Sequence, residues 1–136
     1  MTAAVRAARP GEAEAIARVH VQSWRETYRG LLPDAALDGL SVADRAAKGD
    51  RALRRAESPT QLFVAERAPG GVVGFAAAGP RRDPQPEYAP FDAELYAIYV
   101  LQPEQRAGLG KRLFAAAADG LLARGFGALL VWVLET

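Results

Sequence analysis

The chain has no cysteine. That absence removes disulfides, thiolate metal sites and a cysteine nucleophile together. A single histidine, His20, is too few for a conventional zinc site. No apolar run approaches the ~18 residues of a membrane span. The opening stretch MTAAVRAARP lacks the apolar core of a signal peptide. The charges nearly cancel, with 17 Lys and Arg against 16 Asp and Glu and a formal net charge of +1. Bulk charge therefore implies neither a nucleic acid nor a membrane partner. These absences leave a cytoplasmic protein as the expectation. Its 136 residues, half of them hydrophobic, suffice for one domain over 1–136 with its own core.

What is present reads as alternating strands and helices. AVRAA (4–8) is a short strand. Ala13, Ile16, Ala17, His20, Trp24 and Tyr28 recur at steps of three and four, one face of an amphipathic helix over about 11–28 with Gly30 as its stop. Ser41 with Asp44 has the form of an N-cap before an arginine-rich helix over 42–57. QLFVAER (61–67) and VVGFAAAG (72–79) flank the turn APGG (68–71), an antiparallel hairpin. Four prolines mark 80–92 as a loop, long enough to belong at a functional mouth. ELYAIYV (94–100) is the strongest strand. Leu109, Leu113, Ala117 and Leu121 continue a helix to Arg124-Gly125, and ALLVWVL (128–134) is a buried strand. The order β-α-α-β-β-β-α-β predicts an α/β (α+β) domain, a mixed sheet flanked by helices.

QPEQRAGLGKRL (102–113) puts cations where a helix begins, with Arg106 ahead of the start and Lys111 and Arg112 in the first turn. A helix N-terminus already carries a partial charge of roughly +0.5, so these cations imply an anion. The dinucleotide fingerprint fails because Leu113 stands where its third glycine belongs. The P-loop fails at Gln105 and Arg112. The pattern Gln/Arg-x-x-Gly-x-Gly/Ala between strand and helix fits Gln105, Gly108 and Gly110.

The run ELYAIYVLQPEQRAGLGKRL resembles the acetyl-CoA-binding motif of the GNAT superfamily of N-acetyltransferases, and HVQSWRETYRGLLP (20–33) resembles a common bacterial opening of that family. The resemblance implies a pyrophosphate of coenzyme A at Gln105, Arg106, Ala107, Gly108, Leu109, Gly110, Lys111 and Arg112. It also implies a pantetheine arm laid as an added strand on backbone groups of Ile98, Tyr99 and Val100. The activity implied is transfer of an acetyl group from acetyl-CoA to a primary amine. With no cysteine for an acyl-enzyme, direct attack in a ternary complex is the expected course.

An amine of pKa ~10.4 must lose a proton before it attacks, and a carboxylate can take it. The family often places a base on the strand that here begins at Glu94, which shares a face with Tyr96; the alternatives are a solvated glutamate and a packing tyrosine. Trp24 and Tyr28, with His20, would wall the acceptor pocket or belong to the core. Family members usually continue into a further helix and strands that carry a tyrosine general acid, a segment this sequence does not contain. The expectation is then either a fragment or a homodimer covering an exposed C-terminal edge strand. An acyl-CoA-binding module without turnover and a non-enzymatic dimerising domain are the other functional readings.

Overall fold

In the computed structural model of the protein, which describes residues 3–31, 33–35, 39, 41–54, 59–67, 71–82 and 85–131, five strands form one sheet. They are β1 (Ala3–Ala7), β2 (Gln61–Arg67), β3 (Gly71–Pro80), β4 (Ala93–Val100) and β5 (Leu129–Val131), lying side by side in that order. β1 to β4 are antiparallel neighbours, and β5 runs parallel to β4. Helices α1 (Ala13–Tyr28) and α2 (Val42–Arg54) separate β1 from β2, and α3 (Leu109–Ala123) separates β4 from β5. Short 3-10 turns occupy Pro86–Tyr88 and Gln102–Ala107. The element order expected from the sequence is the one found. The end of the arginine-rich helix at 55–57 and the last residues of the apolar strand at 132–134 lie outside the described residues.

Local chemistry sets the element ends. The Asp44 N–H donates to the Ser41 hydroxyl at 3.1 Å, capping α2. α3 ends in a Schellman turn, with Gly125 at φ +92, its N–H donating to the Leu122 carbonyl, and the Phe126 N–H donating to the Leu121 carbonyl at 3.1 Å.

Strand alternation sorts side chains onto two faces. Val64, Phe75 and Ala77 pack with Ile16 and Val19 under α1. Ala65, Val73, Ala76, Ala78, Leu95 and Val100 pack with Leu109, Leu113, Ala117 and Leu121 of α3. β3 is covered on both faces, which is why it is built of small residues. A Cβ on Gly74 would come within 3.2 Å of the Leu113 side chain. On α3, Gly120 approaches β2 so closely that a Cβ would lie 2.2 Å from Gln61 Oε1 and 2.8 Å from the Phe63 ring.

β4 contains a bulge. Ala77 faces Ala97 while Ala78 faces Leu95, so Tyr96 is the extra residue. The bulge turns Tyr96 and Ala97 both toward the α1 face and returns Ile98 and Val100 to the α3 face.

Candidate functional site

Two features meet at the C-terminal end of β4. The first is an open strand edge. β5 pairs with β4 only at Ala93, Glu94 and Leu95, and among the described residues nothing pairs with that edge beyond them. The Leu101 N–H donates to the Val73 carbonyl at 2.9 Å, which fixes the phase of the β3–β4 ladder. Alternation then directs the backbone groups of Tyr99 toward β3 and those of Ile98 and Val100 toward the open edge. The sequence reading placed all three residues at the cofactor, but the ladder removes the Tyr99 backbone from that role.

The second feature is the start of α3. Gly108 takes the left-handed conformation at φ 74, the one backbone turn here that a side chain would strain. The first intrahelical bond is from the Arg112 N–H to the Gly108 carbonyl at 3.2 Å. Leu109, Gly110 and Lys111 therefore have N–H groups with no helix carbonyl to meet, and the N-cap, Gly108, has no side chain to cap them. Leu109 itself is buried and anchors the helix in the core. A Cβ on Gly110 would meet nothing within 4 Å, so packing within the protein does not explain a glycine there.

The preceding turn is clamped from three sides. The Gln105 side chain donates from Nε2 to the Val100 carbonyl at 3.1 Å. Arg67 donates from Nε to Glu104 at 2.8 Å and pairs with it again through Nη2 at 2.7 Å. The Gln102 N–H donates to Glu26 of α1 at 3.2 Å. Gln105 is thus a positioning residue that closes the end of β4. Of the three expected cations, Lys111 is exposed at the turn. Arg112 is exposed too, but its Nη1 donates to the Ala3 carbonyl of β1 at 2.7 Å, which commits it to the fold. The side chains of Arg106 and Ala107 lie outside the described residues.

On the α1 face, α1, α2 and strands β2 to β4 line an open cavity of about 290 Å³. His20, Arg45, Lys48, Arg82 and Tyr96 supply its polar wall, and Ile16, Leu62 and Phe75 its apolar floor. Arg45 Nη1 lies 3.4 Å from His20 Nδ1. Arginine can only donate, so Nδ1 accepts and the His20 proton sits on Nε2. Burial, then the Arg45 charge, pull the His20 pKa down to about 4, so the ring is neutral near pH 7. The Arg82 guanidinium lies 3.5 Å above the Tyr96 ring. The Tyr96 hydroxyl donates to the Pro80 carbonyl, and burial raises its pKa, so it stays protonated and holds the loop.

Glu94 is only 8% exposed, and its Oε1 accepts the Arg82 N–H at 2.9 Å. It does not line the cavity. Trp24 and Tyr28 are also absent from that lining. They belong to an aromatic stack in which Trp24 Nε1 donates to the Tyr99 hydroxyl at 2.8 Å and Tyr28 lies 4.7 Å from Trp24. His20 stacks on Tyr99 at 4.9 Å and joins that stack to the cavity. The sequence reading did not single out Arg45, Lys48 and Arg82, which line the cavity. Arg45 and Lys48 are three residues apart, which places them on one face of α2, and that spacing was the signal available.

Among the described residues no helix is long and apolar enough to cross a membrane, and no group of acidic or histidine side chains could hold a metal ion. Comparison with known proteins matches residues 21–136 to the acetyltransferase (GNAT) family. An uncharacterised N-acetyltransferase of Bacillus subtilis, YuaI, is 41% identical over 131 residues, covering 96% of this chain and 71% of its own. The PaiA N-acetyltransferase of Thermoplasma acidophilum, solved with coenzyme A, superposes with a TM-score of 0.78 at 18% identity, over all of this chain and 82% of that one. The aminoglycoside enzyme AAC(6')-Iy, solved with a bisubstrate analogue joining coenzyme A to acetylneamine, gives 0.70 at 22% identity, over 99% and 82%.

Proposed function

The chain belongs to the GNAT acetyltransferase family, and on that footing we infer that its glycine turn takes the pyrophosphate of acetyl-CoA while the cavity under α1 takes the amine. It is an acetyltransferase, and acetyl-CoA is its donor substrate. The observation that carries the placement is the meeting of the open β4 edge with the uncapped start of α3. The edge offers the groups of Ile98 and the Val100 N–H to an extended amide-bearing arm. The N–H groups of Leu109, Gly110 and Lys111 converge where that arm would end, and anions are favoured there. Gly110 leaves space for a phosphate to approach the backbone. That two neighbours of the same fold were solved with coenzyme A or an analogue of it supports a donor of that kind.

The donor supplies a thioester whose acyl carbon an amine can attack. The protein must supply a free amine. Bringing a lysine-like amine from pKa ~10.4 to neutrality at pH 7 costs about 4–5 kcal/mol. Glu94 is the carboxylate of β4 on the cavity's face of the sheet, and we assign it the proton, taken through water because Glu94 does not itself line the cavity. The amine then attacks the thioester directly while both substrates are bound, since the chain has no cysteine to carry the acetyl group; the C–N bond forms as the C–S bond breaks, and the second nitrogen proton passes to the departing sulfur, so that coenzyme A leaves as its thiol.

Glu94→Gln tests the assignment. The variant should keep the affinity for acetyl-CoA and lose the rise of kcat/KM with pH that reports the base. A wild-type pH profile in Glu94→Gln would remove Glu94 from the mechanism.

A further inference from the structure

We propose that the acceptor is a small amine that also carries a carboxylate, held by Arg45, Lys48 and Arg82 in the cavity under α1. The proposal rests on the reading of that cavity as the acceptor pocket. Three cationic side chains line it, from α2 and from the loop before β4, and no Asp or Glu does among the described residues. Nor does any of the three form an ion pair among the described residues: Arg45 faces a neutral histidine, Arg82 an aromatic ring. Elsewhere on the protein, Arg6, Arg18, Arg29 and Arg67 are each paired to a carboxylate. Three cations without an ion pair among the described residues thus share one concave surface, where an anion from outside would complete them.

The same charges act against other acceptors. A polyamine or an aminoglycoside would bring several positive charges against these three, with no lining carboxylate among the described residues to offset them. Size points the same way. A groove of about 290 Å³ has room for an amino acid or a comparably small compound. Tyr96 and Ala97, the bulged residues of β4, form the wall nearest the open edge, so an acceptor pinned by its carboxylate at α2 would present its amine toward the donor.

The test uses matched pairs of amines: lysine with lysinamide and cadaverine, and 4-aminobutyrate with its amide and putrescine. Acetyl-CoA binding is first measured by calorimetry. Acetyl transfer is then followed for every amine, and each amine's equilibrium binding is measured by NMR without the donor. The carboxylates should exceed their amides by about 10-fold or more in kcat/KM and in affinity, the scale of one charge-assisted contact. Arg45→Gln and Lys48→Gln should each erase most of that ratio through KM. Equal or better use of the amides and diamines, with acetyl-CoA bound and turned over, would overturn the proposal and leave the family reading intact. Failure to bind acetyl-CoA would overturn the donor site instead, while the NMR titration still decides on the carboxylate. Glutamine variants that match wild type across all pairs would also sink it.

Discussion

Gly110→Ala separates what the fold needs from what the donor needs. In the first turn of α3 a methyl group at this position would meet nothing within 4 Å. Glycine costs a helix about 0.5–1 kcal/mol relative to alanine, through the freedom it retains when unfolded. The variant should therefore be more stable by up to ~1 kcal/mol, a rise of roughly 2–4 °C in Tm for a domain of this size. The new methyl group would occupy the space beside the free N–H groups of Leu109 and Lys111. Holding a phosphate oxygen off even one of them removes a charge-assisted hydrogen bond of about 1.5–3 kcal/mol, or roughly 10- to 100-fold in affinity. Gly108→Ala is the control. Its φ of 74 makes a side chain strained by about 1–2 kcal/mol, so stability should fall there instead of rising. Thermal unfolding gives the first quantity and calorimetry with acetyl-CoA the second. A Gly110→Ala protein that is stabilised and binds acetyl-CoA as wild type would refute the close approach of phosphate. One that is destabilised would refute the open space.

Two further outcomes follow from packing and charge. Gly120→Ala should lose about 1–3 kcal/mol in chemical denaturation, because its methyl group would displace Gln61 and Phe63 and strain the Gln61 Nε2 bond to the Gly120 carbonyl; unchanged stability would mean that β2 yields freely. His20 has a folded pKa of about 4 against an ordinary value of 6.5, so its contribution is complete above pH 6.5 and is lost as pH falls toward 4. His20→Gln should flatten the stability curve between pH 6.5 and 5, above the carboxylate range, and an unaltered slope would contradict the buried neutral ring.

Much of the fold was legible because local patterns decide it. QLFVAER became β2 without a shift of boundary, Ser41 capped α2, and Gly125 closed α3. The glycine turn was legible for the same reason, since free N–H groups at a helix start depend on the turn alone. The rest depends on packing between distant segments. Nothing near Arg112 announces that it will bond Ala3, 109 residues away. The facing of Tyr99 toward β3 follows from register, which the bulge at Tyr96 resets. Trp24 and Tyr28 share a helical stripe with His20, but only His20 reaches the cavity, because Tyr99 occupies the space beside the other two. Arg45, Lys48 and Arg82 are separated by up to 37 residues, and only the packing of α2 against α1, at the cavity whose other wall is β4, gathers them.

The central claim is that the start of α3 and the edge of β4 together hold acetyl-CoA. Backbone amide NMR during titration with acetyl-CoA, repeated with acetyl-pantetheine, tests it at the atoms concerned. With acetyl-CoA the largest shifts should fall on the amides of Ile98, Val100, Leu109, Gly110 and Lys111. Acetyl-pantetheine, which lacks the pyrophosphate, should bind far more weakly and move only the two amides of β4. Shifts of the α3 amides that are the same with both ligands, or absent with acetyl-CoA bound, would contradict the account.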